Sequence, residues 1–124
     1  AVYSYAMCYW EEQSWLPSKS IHAAEFLHGT LEIVEETTPV TLFLGEDEQR
    51  ALSERVAKLL PKICSNYTLI DTKDYPVEGI SEKYRGRVLS FLLMHAVTQR
   101  IDAHVEQLNC HPLEIRRYYR QFDY

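Results

Sequence analysis

"PVTLFLG", residues 39 to 45, is an apolar run of strand length, opened by Pro39 and closed by Gly45. A strand with one wet face alternates polar and apolar residues. This run hardly does, which suits an interior parallel strand buried on both faces. Downstream, Leu52, Val56, Leu59 and Ile63 step by four, three and four, the pattern of an amphipathic helix with its charges outward. "YTLIDT" (67–72) reads as the next strand. After the turn-rich "KDYPVEG" (73–79), Ser81 is placed to cap a long helix with Leu89, Leu93, Val97, Ile101, Val105 and Leu108 on one stripe. Upstream, "KSIHAAE" (19–25) reads as a short strand leading into a helix over "FLHGTLEIVEE" (26–36). The opening "VYSYAMCYWEEQSW" (2–15) reads as a largely buried helix ended by Pro17.

The order of helix, strand, helix, strand, helix, strand, helix predicts an α/β open sandwich. Its parallel strands lie near 19–23, 40–44 and 67–71, with helices on both faces. A doubly wound domain normally begins with a strand, whereas this chain begins inside a helix, and three strands make a thin sheet. The expectation is a C-terminal piece of a longer protein, without its first strand.

The 124 residues suit a single domain, and 46% hydrophobic with 25% charged residues is the balance of an ordinary globular chain. A formal net charge of -5 argues against a nucleic-acid surface. The local basic groups, Arg85 with Arg87 and Arg116 with Arg117 and Arg120, are too few for a tract. No apolar run approaches the roughly 18 residues of a membrane span. The first residues have no basic leader or clear cleavage site and are not read as a signal peptide. Cys8, Cys64 and Cys110 are odd in number and far apart, which favours reduced thiols in the cytoplasm over a disulfide frame or a zinc site. No metal or cofactor pattern is present.

In an open α/β sheet, ligands bind beyond the carboxyl ends of the strands. "AAEFLHG" (23–29) falls at such a place, and Glu12 stands near the end of the preceding helix. A carboxylate and an imidazole suit a sugar enzyme that moves protons, one working at carbon and the other at the ring oxygen. The plainer alternatives for His28 are a surface residue at a helix start, or a core histidine satisfied by backbone.

"EQSWLPSKSIHAAEFLHGTLEIVE" (12–35) resembles the second sugar-isomerase (SIS) domain of phosphosugar enzymes, in which a glutamate is followed sixteen residues on by the histidine of E-x-x-H-G-P. Glu12 and His28 fit that spacing, and Glu25 fits the glutamate of the second element. "PVTLFLGEDE", "TLIDTKD" and the tail "HPLEIRRYYRQFDY" (111–124) resemble the fructosamine-6-phosphate deglycases more than the isomerase half of glucosamine-6-phosphate synthase, whose P-R-x-L-A-K tail is not found here. Thr30 stands where the family has proline.

The resemblance implies that 1–124 is a second SIS domain with a tail or lid over 110–124. It also implies that Glu12 and His28 are catalytic and that Glu25, His111, Arg116 and Tyr118 bind substrate. The expected reaction is cleavage of a 6-phosphorylated Amadori compound to glucose 6-phosphate and an amine. An aldose–ketose isomerase or a non-catalytic sugar-phosphate sensor is the alternative. The family's Ser/Thr-rich phosphate loops lie mostly in its first SIS domain, so the expected partners are that domain or a second copy of the chain, besides the phosphosugar. Neither nucleic acid nor membrane is expected. Tyr3, Tyr5, Tyr9, Trp10 and Trp15 read as core or dimer contacts, His22 as packed in its strand, His95 and His104 as core-edge or solvated, and Glu35 with Glu36 as solvated.

Overall fold

Two of the three expected strands form in the computed structural model, which describes residues 2–123. Val40–Leu44 (β1) and Tyr67–Asp71 (β2) pair in parallel, with Val40 opposite Tyr67 and Leu44 opposite Asp71. The chain divides into two compact units, one of residues 21–94 and one of 2–20 with 95–123.

In the first unit a short helix α2, Ala23–His28, is followed by a 3-10 turn, Thr30–Ile33, and then by β1, helix α3 (Arg50–Ile63) and β2. A three-residue helix α4, Glu82–Tyr84, passes through a π-helical turn, Arg85–Leu89, into α5, Ser90–Asn109. Phe26, Val56 and Leu60 form the buried core, with Ile21, Leu27, Val40, Leu42 and Tyr67 packed around it. Leu60 is wholly buried and lies outside the four-residue stripe read from the sequence. Burying such a side chain is worth about 2 kcal/mol.

The segment at 19–23 is not a strand. His22 is extended, and the helix starts at Ala23. No third strand among the described residues offers it a ladder, and Ala23, Ala24 and Glu25 are good helix formers. Ile21 still packs on the core. The continuous apolar run likewise does not make β1 buried on both faces, because Thr41 and its neighbour Thr68 are exposed in a sheet of two strands, each of them an edge. The helix expected over 26–36 is displaced as well. It stops at His28, which therefore closes a helix instead of opening one. Ser81 makes no side-chain cap; its carbonyl accepts from the Tyr84 amide instead.

In the second unit α1, Val2–Ser4, continues as a π-helix over Tyr5–Gln13. Tyr5 is buried there, whereas Tyr3 and Met7 are exposed, so within this chain the helix is not the largely buried element expected. Pro17 does not end it alone. Trp15 turns left-handed at φ 57°, and the Ser14 and Leu16 amides donate back to the Tyr9 and Trp10 carbonyls, each at 2.8 Å. α5 ends in the same manner, with Cys110 at φ 49° and the His111 amide on the Glu106 carbonyl. Leu108, placed on the apolar stripe by spacing, is 82% exposed in this last turn.

Candidate active site

Glu12 lies one residue from the end of the π-helix and is brought to the C-terminal tail by charge. Arg116 Nε donates to Glu12 Oε1 at 2.8 Å, and its Nη1 donates to the carbonyls of Leu113 and Ile115. Three donated bonds fix the guanidinium, and the guanidinium in turn fixes one carboxylate oxygen. The tail is held in place by further contacts. His111 Nε2 lies 2.9 Å from the Gln13 carbonyl, which requires the Nε2–H tautomer or the cation. The Leu113 amide donates to Glu106 Oε1 at 3.0 Å. The ring of Trp15 has the His111 imidazole at 4.4 Å and the Arg117 guanidinium at 4.3 Å.

These contacts enclose a cleft of about 330 Å³ between Glu11 and Glu12 of the helix, residues 15–17 at its exit and residues 116–119 of the tail. That volume matches a small-molecule site. The structure thus brings Glu12, Arg116 and Tyr118 together, while His111 holds the tail against the helix end. Sequence reading took Trp15 as a core or dimer contact and gave no separate role to Arg117. The available signal was an aromatic residue two positions before a proline, together with a second arginine beside Arg116.

In the same unit, Asp102 of α5 and Tyr5 are both buried. Burial pushes both groups upward in pKa, and the hydrogen bond from Tyr5 partly offsets the shift of Asp102.

In the other unit, His28 is exposed and its imidazole has no hydrogen-bond partner among the described residues. It is a surface residue, as the first plain alternative has it, but at a helix end instead of a helix start, and it is not a core histidine. Glu25 accepts from the His22 amide at 3.4 Å, closing the first turn of α2. His22 is exposed at that cap, in contrast to the packed strand residue expected; without a strand there is no sheet face to bury it. His95 and His104 are both exposed on α5.

Beyond the carboxyl ends of β1 and β2 stands a second carboxylate–arginine pair that sequence reading did not single out. Arg85 Nε and Nη2 donate to the two oxygens of Glu46 at 2.7 and 3.0 Å. The hydroxyls of Thr72 and Ser90, both almost fully buried, add contacts to Oε2 at 2.9 and 3.3 Å. The Arg85 bond, with help from the hydroxyls, holds the Glu46 carboxyl below its usual range. A Cβ on Gly86 would come 2.6 Å from the Glu46 carbonyl oxygen, so only glycine admits this approach. Both carboxylate oxygens already accept from neighbours within the fold, and the cluster joins the strand ends to the head of α5.

No protein-family model matches the chain. Over 122 residues, 98% of its length, it is 34% identical to fructosamine deglycase FrlB of Bacillus subtilis, and it covers 37% of that protein. It is 38% identical over 60 residues to fructoselysine 6-phosphate deglycase of Escherichia coli K12, which is 48% of the chain and 18% of the relative. The chain is homologous to these deglycases. A solved Bacillus subtilis structure classed as a phosphosugar isomerase superposes with TM-score 0.93 at 34% identity, over 98% of the chain and 37% of that structure. One from Salmonella typhimurium LT2, classed in the same way, gives 0.87 at 28%, over 96% and 36%. The fold is therefore that of the phosphosugar isomerases, and the chain spans 37% of FrlB and of the Bacillus subtilis structure and 36% of the Salmonella one. A match over 98% of the chain takes in Glu12 and His28 together.

Among the described residues no helix is long and apolar enough to cross a membrane, and no group of three or more His, Cys, Asp or Glu residues is placed to hold a metal ion.

Proposed function

We propose that the protein cleaves 6-phosphorylated fructosamines to glucose 6-phosphate and an amine or amino acid. The observation that supports this most is the Glu12 carboxylate, open on one side to the cleft and held on the other by Arg116, in a chain homologous along its length to FrlB. An Amadori compound carries its amine on C1, next to the C2 carbonyl. His28 opens the ring by taking the proton of the C2 hydroxyl and giving one to the ring oxygen. Glu12 then removes a proton from C1, and a proton returns to C2, so that the ketoamine becomes an aldimine at C1. Water adds across that C=N bond, the amine leaves with the proton, and the aldehyde of glucose 6-phosphate remains. One water is consumed and no electrons change hands. Glu25 and Tyr118 bind and orient the sugar phosphate, and His111 with Arg116 keeps the tail and the base in position.

His28 reaches the Glu12 cleft from a second copy of the chain in a two-fold dimer; its exposure and lack of a partner support this arrangement. The Ser/Thr-rich phosphate loops come from protein beyond these residues. Three free thiols, Cys8, Cys64 and Cys110, support work in the reducing cytoplasm.

The same proton transfer without C–N cleavage would interconvert an aldose and a ketose, a reading favoured by the structural neighbours classed as phosphosugar isomerases. Complementation tests the proposal. E12Q and H28A should each slow release of glucose 6-phosphate by about 10²- to 10⁴-fold, and an equal mixture should recover about a quarter of wild-type activity, since half the dimers are mixed and each has one intact site. Full activity in either single variant would remove the assigned role. A mixture that stays inactive while the protein is monomeric would remove the shared site. Isomerisation of glucose 6-phosphate with no action on fructosamines would select the isomerase.

A further inference from the structure

We infer that the π-helical winding of Tyr5–Gln13 sets the direction of Glu12, and that Tyr5 and Trp10, in contact across its wide turn, are the positioning residues that hold the winding. The inference rests on the reading of Glu12 given above.

Glu12 is the seventh residue after Tyr5. In an α-helix residues i and i+7 share a face, so ordinary winding would carry Glu12 onto the side of Tyr5, which is buried. A π-helix bonds i to i+5 and takes in about one residue more per turn, which turns the seventh residue away from that side. Glu12 is accordingly exposed, and it bonds Arg116 at 2.8 Å. Such winding is rare and concentrates at functional sites, so the contacts that hold it matter. The rings of Tyr5 and Trp10 meet edge-on, with 6.3 Å between centroids at 88°, although they are five apart and an α-helix brings together residues three or four apart. Tyr9 packs on Tyr5 as well, at 5.7 Å. The Ser14 amide donates to the Tyr9 carbonyl, again five apart, at 2.8 Å. The Ser18 hydroxyl lies 2.9 Å from Glu11 Oε1 and 3.3 Å from the carbonyl of Ala6, five residues before Glu11. The winding thus gives Glu11 to Ser18 and Glu12 to Arg116, and two neighbouring carboxylates do not compete for one place.

The test removes the ring contact in two backgrounds of the whole protein, with the fructosamine 6-phosphate that it cleaves fastest. Trp10→Ala should let the helix relax to α winding and lower kcat about ten- to a hundredfold with KM within about threefold, because Glu12 turns away from the reacting carbon. Trp10→Phe keeps an edge-on ring and should stay within about threefold of wild type. Deletion of the exposed Met7 makes Trp10 the fourth residue after Tyr5 and Glu12 the sixth, so that a plain α-helix brings the two rings together and keeps Glu12 off the Tyr5 side. In that background Trp10→Ala should cost no more than about threefold. A Trp10 that only packs would cost the same in both backgrounds; that result, or a wild-type kcat in Trp10→Ala, would overturn the inference and leave the deglycase reading standing. NMR couplings across the backbone hydrogen bonds decide the winding without turnover. In Trp10→Ala the pairing over residues 5–13 should change from five apart to four apart with loss of the Glu12–Arg116 bond, and five-apart pairing that persists overturns the inference even where the Met7 deletion does not fold. Trp10→Leu, which keeps apolar bulk without the ring, is read in the same way if Trp10→Ala does not fold. If wild type cleaves no fructosamine 6-phosphate, the deglycase reading fails, and the NMR result alone upholds or overturns the winding.

Discussion

The chain contains two carboxylate–arginine pairs with the same chemistry and different surroundings. At the strand ends, Glu46 and Arg85 are about nine-tenths buried, and two buried hydroxyls add contacts to one oxygen of the carboxylate. In the tail cleft, Glu12 is 39% exposed, one of its oxygens is held by Arg116, and the residue lines open volume together with Arg117. The first arrangement gives both carboxylate oxygens partners within the fold and so contributes to stability. The second leaves acceptor and donor capacity facing solvent, as binding and proton transfer require. The strand ends are the usual crevice of an α/β sheet; the proposed function instead uses the tail cleft, where hydrogen-bonding capacity is left open.

The comparison breaks if the strand-end pair proves chemical. Glu46→Ala leaves a guanidinium and two buried hydroxyls without their acceptor, and should cost about 2 kcal/mol of stability, measured by urea unfolding. Activity per folded molecule should stay at the wild-type value, and a loss of kcat in protein that remains folded would contradict the assignment. The pair also sets a pH dependence. Arg85 holds Glu46 below its reference value of 4.5, and Arg50 holds Asp71 below 3.8. Both contributions are complete above those reference values and are lost as pH falls through the lower folded-state values.

A smaller effect of opposite sign comes from Asp102. Burial raises its pKa above 3.8, so folding favours the protonated form, and stability falls as pH rises from about 3.8 toward the folded-state value. Asp102→Asn keeps an acceptor for Tyr5 and removes the charge. It should stabilise the protein at pH 7 by about 1 kcal/mol, with the gain vanishing below pH 3.8. A destabilised Asp102→Asn at pH 7 would show that the carboxylate has a stabilising partner.

The two strands that form were legible because an apolar run such as Val40–Leu44 carries its own signal. The segment at 19–23 carries a similar signal, but a strand exists only with a partner, and a local window cannot show whether one is present. Leu59 and Leu60 both fit a helical stripe, and only packing decides that Leu60 goes fully inside. The cleft was partly legible. Resemblance supplied Glu12, Arg116 and Tyr118, yet the bond that joins Glu12 to Arg116 spans 104 positions of sequence. Nothing local predicts that Trp15 turns left-handed, because its helix end is fixed by backbone bonds to Tyr9 and Trp10 and its ring by His111. The Glu46 cluster joins residues up to 44 positions apart and was invisible for the same reason.

The most direct test of the central claim follows the proton. Turnover of a fructosamine 6-phosphate in deuterated water should place deuterium at C2 of the released glucose 6-phosphate, and Glu12→Gln should slow both that incorporation and amine release together by about 10²- to 10⁴-fold. Amine release at the wild-type rate from Glu12→Gln would contradict it.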